Sequence, residues 1–249
     1  MSAVLDLLAS HRSVRSFADR PVEPALLERV YAAALRSPSW NNAQNVTLIE
    51  VRDEARKSEL ATLCGNQQSI HQAPVFGVLV MDFHKTAVAA ARHGRRQTAH
   101  EDVNGLLIGA VDAGIVLGAL MVAARAEGLA VCPIGGIRRE TAAVIELLGL
   151  PPLTLPLAGL CLGYTESAPG PVKPRLPLAA FCHPESYDAA RIENAVQAID
   201  RAMADYRQAQ GTTAGSWSDA VSARYASMPA YAGVAGALHA QGFRFGAQG

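Results

Sequence analysis

Two basic clusters stand far apart in the chain: His11-Arg12-Ser13-Val14-Arg15 near the start and Lys173-Pro174-Arg175 late. Guanidinium and ammonium groups hold a dianionic phosphate through charge-assisted, often bidentate, hydrogen bonds. If the fold converges the two clusters, the chain binds one small phosphate-bearing molecule. A polyanion is a poor alternative. Lys plus Arg number 22 and Asp plus Glu number 22, so the net charge is zero and no global field draws in DNA, RNA or an anionic membrane. Ser39, Asn42, Gln44 and Gln67 add hydroxyl and amide groups in loop-like stretches. Gly135-Gly136 follows a strand-like run, where bare backbone can approach a flat ring.

The elements that must position these groups follow from periodicity. Val4 to Ala9 reads as a short helix, and Pro24 opens a second over 25–36 with Leu26, Leu27, Val30, Tyr31 and Ala34 at helical spacing. Ser37-Pro38-Ser39 breaks it. Asn45 to Val51 alternates and is β-branched, a strand. Asp53 caps a helix that runs to Leu63 and stops at Gly65-Asn66. Pro74 to Met81, Leu129 to Ile134 and Leu155 to Tyr164 read as further, buried strands. Phe83 to His100 reads as a polar, mobile surface insertion. A long helix follows from Asn104 to Glu127, with Gly128 as its stop, and another from Arg139 to Leu148. Residues 167–177 form a Pro-rich loop. Ala189 to Gln210, Ser216 to Arg224 and Pro229 to Gln241 are helical. The expected division is a core over residues 1–187 and a helical extension over 188–249.

Half of the 249 residues are hydrophobic, enough for a sizeable core. Cys64, Cys132, Cys161 and Cys182 form no Cys-x-x-Cys pair and read as buried free thiols. Cys182-His183 lacks a second ligand pair, so no metal site is expected. Met1 to Asp6 resembles no signal peptide, and a cytoplasmic location is expected. The apolar stretch from Gly105 to Ala126 has the length of a membrane span. It contains Asp112, however, which costs about 2.5–3.5 kcal/mol at a bilayer centre. The buried spine of a globular protein is the expected role, with no membrane. Gly105/Gly109 and Gly114/Gly118, four apart, suit close helix packing, in part across a subunit interface.

No phosphate loop, dinucleotide fingerprint, nucleophile elbow or zinc-helix motif is present, so a nucleotide site here needs another construction. A flavin mononucleotide needs cations for its phosphate, amides for its pyrimidine edge and a close backbone donor at N5. The residues above supply all three. Their order, H-R-S-x-R, then S-P-S-x-x-N-x-Q, G-x-Q, I-G-G and G-L-C-L-G followed by K-P-R, resembles the FMN-dependent nitroreductase superfamily. Within it, the chain is most similar to the oxygen-insensitive nitroreductase A and NADPH–flavin oxidoreductase subgroup. The resemblance runs from about Ser10 to Tyr187 and more loosely through Trp217-Ser218-Asp219.

The resemblance implies an α+β fold with a central, mainly antiparallel sheet of four to five strands among helices, a long interface helix and a helical C-terminal extension. It implies a homodimer with two FMN sites at the subunit interface, and no nucleic-acid partner. By position, His11, Arg12, Ser13 and Arg15 hold the phosphate and ring edge, Lys173 and Arg175 clamp the phosphate, and Ser39 and Gln67 touch the ribityl chain and ring. Pro133, Ile134, Gly135 and Gly136 line the ring, with a Gly135 or Gly136 amide near N5. Asn42 and Gln44 are further contacts. The implied activity is ping-pong hydride transfer from NADPH or NADH through flavin N5 to a small acceptor, with no protein nucleophile. Nitroaromatics, quinones or free flavins take two electrons. A flavin reductase feeding a monooxygenase, or a specialised pathway flavoenzyme, is the alternative. The chain departs from the subgroup where the 2′-phosphate of NADPH is read. Gln208 to Gly215 carries no cation, and Met228 stands where close relatives are basic. Arg92, Arg95 and Arg96 are possible substitutes. Trp40 and Pro133, in loops beside the flavin, imply an altered acceptor shape.

Overall fold

The computed structural model describes residues 2–168, 170–212, 215–227 and 231–245. They form two compact units, Met1–Ala168 with Tyr231–Gly249, and Pro169–Ala230. The boundary expected at residue 187 lies inside the second unit. Met228, Pro229, Thr213 and Ala214 lie outside the described residues.

The first unit runs α1 (Ala3–Ala9), α2 (Pro24–Ala34), β1 (Val46–Val51), α3 (Glu54–Leu63), α4 (Gln68–Gln72), β2 (Val75–Asp82), α5 (His84–Ala91), α6 (Val103–Ala126), β3 (Ala130–Ile134), α7 (Thr141–Leu147) and β4 (Thr154–Gly163). The four strands pair antiparallel in the order β1-β2-β4-β3. β2 and β4 are the continuous apolar runs because they are central. Every residue of β2 is buried. Gly159 lets the two pack: a Cβ there would stand 2.4 Å from the Phe76 ring. One face of the sheet carries Leu60, Ile70, Phe76, Ile137 and Val144, and another cluster joins α2 and α6 through Leu27, Val30, Leu120 and Ala124.

Capping sets the helix starts. Asp53 accepts the Arg56 N–H at 2.9 Å for α3, and Asp102 accepts the Asn104 N–H at 2.8 Å for α6. The second unit holds α8 (Leu178–Phe181), α9 (Ala189–Ala209) and α10 (Trp217–Ala226). Ser218 ties α10 to α9 by donating its N–H and hydroxyl to Asp200 at 2.8 and 2.6 Å, bonds that hold the Asp200 carboxyl below its usual range. After it, α11 (Val234–Ala240) returns to the first unit, where Leu238 and Phe243 pack with Met81, Phe83 and Leu155. Within the described residues this helix begins at Val234, later than the expected Pro229.

Four expectations need correction. The 83–100 segment is ordered: it opens with buried Phe83 and α5, and Arg96 pairs with both oxygens of Glu101. Gln97 then donates to the Phe83 carbonyl at 3.2 Å and to Thr86 at 3.1 Å. Polar side chains that look solvated in sequence bond to one another there. Pro133 lies in β3, an edge strand, where a missing N–H is tolerated. Cys182 is exposed, whereas the other three cysteines are buried. Finally, α6 is no buried spine. It packs α2 and the sheet on one side only, leaving Val103, Leu107, Val111 and Ile115 exposed at four-residue spacing. Its two glycine pairs differ. A Cβ on Gly105 would stand 1.9 Å from the Ala99 carbonyl oxygen and one on Gly109 2.2 Å from Met81 Sδ, while Gly114 and Gly118 face open space. By length and composition alone, α6 is long and apolar enough to cross a membrane.

Candidate functional site

The strip from Ser10 to Ala18 runs along β3. Val14 N–H donates to the Val131 carbonyl at 2.9 Å, and Ala18 N–H to the Tyr164 carbonyl at 2.9 Å. This register sets Arg15 beside Cys132. Burial raises that thiol above its usual pKa, and the Arg15 charge opposes the shift. Arg12 lies beside Arg125 at the end of α6. Arg125 donates to the Leu7 carbonyl and, at 3.0 Å, to Ser10 Oγ. Burial first, then the like charge of Arg12, holds Arg125 below the usual arginine range. Arg12 donates to the Ser10 carbonyl at 3.3 Å, but its buried Nε has no hydrogen-bond partner among the described residues. Two guanidinium groups side by side, one with an orphaned buried N–H, call for an anion.

Pro133 and Ile134 belong to β3 itself, Gly135 and Gly136 follow it, and Gln67 stands at the start of α4. Phe17 N–H donates to Gln72 Oε1 at 3.4 Å, which ties the strip to α4, and Gln67 is the residue that caps α4. Gly65 and Asn66, both left-handed (φ 90° and 58°), turn the chain from α3 into α4. The Cys64 carbonyl before that turn lies against Gly136, where a Cβ would stand 2.4 Å from its oxygen. Gly135 is open by comparison. A Cβ there would be 3.8 Å from Arg138 Nη2 and 3.9 Å from the Tyr231 hydroxyl. Arg138 donates to the Leu157 carbonyl and lies 5.4 Å from the centroid of the Tyr231 ring. Arg138, Tyr231 and Arg125 were missed from sequence. Arg138 stands two positions after the glycine pair, and Arg125 reads only as the polar end of an apolar run.

Ser39, Asn42 and Gln44 lie elsewhere on the chain. Their loop precedes β1 and is left-handed at Asn41, Asn42 and Gln44 (φ 48°, 56° and 50°). It is pinned from three sides. The Trp40 N–H donates to both oxygens of buried Asp112 at 3.2 Å, Gln44 N–H donates to Ser39 Oγ at 3.0 Å, and Lys85 Nζ donates to the Gln44 and Val46 carbonyls at 3.3 and 2.8 Å. Asp112, the lone acid inside the apolar run, is therefore the anchor of this loop. β1 and β3 are opposite edges, about 14 Å apart across the sheet. Val46 aligns through Met81 with Leu155, whereas Val131 aligns with Leu162, so the two groups also differ by about 23 Å along the strands. On one chain, the predicted contacts occupy opposite corners of the sheet. Lys173 and Arg175 belong to the second unit. There both are exposed, and Arg175 donates to the Lys173 and Pro174 carbonyls at 2.9 and 3.2 Å.

The sequence profile described as "Nitroreductase family" matches residues 8–164, which contain both corners, and "Nitroreductase family, C-terminal domain" matches residues 173–246. The chain belongs to the nitroreductase family. This nitroreductase-family chain is 36% identical to a Bacillus subtilis (strain 168) protein named FMN reductase, NAD(P)H, over 98% of this chain and 99% of that one. It is 36% identical to an oxygen-insensitive NADPH nitroreductase of Salmonella typhimurium over 88% of this chain and 89% of that one. Among solved structures, B. megaterium NfrA2 matches it with a TM-score of 0.95 at 38% identity, covering 99% of this chain and 100% of the other. The nitroreductase fold expected from the sequence motifs is the fold observed.

Proposed function

We propose that this chain is an FMN-dependent NAD(P)H oxidoreductase that acts as a homodimer on small organic acceptors. The observation that carries the reading is the Arg12–Arg125 pair with its orphaned Nε, on the strip that pairs with β3, the strand that leads into the bare backbone at Gly135-Gly136. An anion-seeking end and a bare-backbone end of one strand fit a phosphate joined to a flat ring. Held by these residues, FMN would supply two-electron redox chemistry between NADPH or NADH and a nitroaromatic, quinone or flavin.

The chain's own residues bind and orient. Arg12 and Arg15, with His11 and Ser13, face the phosphate; Lys173 and Arg175 are the remaining cations of the motif order. Gln67 and the Pro133–Gly136 run border the ring, and a Gly135 or Gly136 amide donates toward it. No protein nucleophile is assigned. Ser39, Asn42 and Gln44, at the opposite corner, serve the ring bound to a second copy. The bare stripe of α6, the open Gly114 and Gly118, and exposed Val4, Leu5 and Leu8 of α1 support that pairing. Asp112, which anchors a loop, supports pairing with protein over lipid. Unpaired buried thiols and a nicotinamide donor go with a cytoplasmic location. The Gln208–Gly215 stretch without cations supports acceptance of NADH as well as NADPH.

Replacement of Arg15 and Lys173 by Ala together tests the phosphate assignment. Loss of each charge from a paired anion costs about 2–5 kcal/mol. The double variant is therefore expected to purify colourless, as read by flavin absorbance. Full flavin occupancy in it would refute the assignment.

A further inference from the structure

A polar cleft of about 610 Å3 opens between the Phe17–Val22 segment, the start of α3 and the end of α4. It is within the range of small-molecule sites. None of the residues assigned above to the flavin lines it. Its walls carry hydrogen-bond donors that the protein leaves unused. The Arg20 guanidinium carbon lies 3.8 Å from the Tyr164 ring centroid. Stacking fixes its plane, yet no described residue accepts a hydrogen bond from it. The Lys57 side chain is only 4% exposed. Its ammonium donates to the Ala73 carbonyl at 2.9 Å, and the nearest carboxylate, Glu54 at 3.7 Å, has a side chain 93% exposed. A buried ammonium with a single carbonyl partner keeps two donors to spare. Gln72 spends its Oε1 on the Phe17 N–H, which leaves its NH2 group.

The acceptors of the cleft are differently placed. Asp19 and Glu54 are both solvent-exposed. Arg52, the remaining cation, is already taken by Glu50 at 2.6 Å and the Val22 carbonyl at 3.4 Å. The groups without a protein partner are thus donors, two of them cationic: Lys57 is buried, whereas Arg20 and the Gln72 amide are exposed, as the carboxylates are. We propose that this cleft is a second anion site, which takes the phosphate group of a small phosphate-bearing molecule on Arg20, Lys57 and the Gln72 amide. The Phe17–Gln72 bond links it to the strip that carries Arg15, so its occupant also braces the outer side of that strip.

Titration of the flavin-loaded protein with inorganic pyrophosphate, followed by calorimetry with flavin absorbance read in parallel, tests this. One saturable site per chain is expected, with the flavin retained. Arg20→Ala, an exposed position outside the flavin contacts, is expected to weaken binding about tenfold or more, as befits loss of a charged hydrogen bond. Asp19→Asn is expected to tighten it by removing an opposing charge. Absence of saturable binding, an Arg20→Ala affinity equal to that of the unaltered protein, or release of flavin as pyrophosphate binds would each overturn the proposal. A protein that purifies without flavin would count against the functional reading alone, since the same titration then still reports on Arg20.

Discussion

Asp112 and Arg125 are opposite charges on one apolar helix, and each pins the chain beside one group of the predicted flavin contacts. Asp112 is buried and fastens the left-handed loop Trp40–Gln44 by its backbone; Arg125 is half-buried and fastens the end of α1 and the Ser10 hydroxyl. They stand about 20 Å apart along the helix axis. A long helix that looks like inert filling is therefore the ruler that separates the two corners. The charges within it mark where it is read.

If that contrast holds, loss of the buried charge is the costlier. Asp112→Ala leaves the Trp40 N–H unpaired, and about 2–3 kcal/mol of unfolding free energy should be lost, measured by urea denaturation. A loss under about 0.5 kcal/mol would place it with ordinary surface substitutions. The two glycine pairs give the next effect. Gly109→Ala drives a methyl into Met81 and should cost about 1–3 kcal/mol. Gly114→Ala meets only open space in the chain and gains helix propensity, so a single copy should not be destabilised. Weakened self-association of the Gly114 variant by light scattering is expected, and unchanged association would remove Gly114 from the subunit interface. Arg125→Ala should cost about 1 kcal/mol and speed hydrogen exchange in α1 while leaving the Trp40 amide protected.

The smallest effect concerns pH. Burial pushes the Cys64 thiol, behind Gly136, up to about 12. The unfolded thiol ionises near about 8.5, so the unfolded chain releases its proton first as pH rises. The stability contributed by the protonated thiol is complete below that value and falls away between it and about 12. The urea midpoint should decline over this interval, less so in Cys64→Ala.

Much of the architecture was legible because it rests on local chemistry. The Asp53 cap, the apolar runs of β2 and β4 and the Gly65-Asn66 stop are where their residue types place them. What escaped depends on partners distant in sequence. Nothing local distinguishes Asp112 in an apolar run from an intruder, since its partner is Trp40, far upstream. The bare face of α6 has the same composition as its covered face. The polar 83–100 segment looked mobile because the bonds among Arg96, Glu101, Gln97 and His100 satisfy charge internally. At five residues, α4 is too short to leave a periodic signature. The site residues themselves were recognisable from motif order. Their division between two corners was not, because order along a chain carries no strand order.

The adjacent glycines at 135 and 136 set a rule for anyone reshaping the acceptor's surroundings. Position 136 has carbonyl oxygen within a bond length or two of where any side chain must begin, so a randomised library there will return glycine. Position 135 meets no described protein atom closer than 3.8 Å, so a side chain placed there reports directly on how near the ring lies.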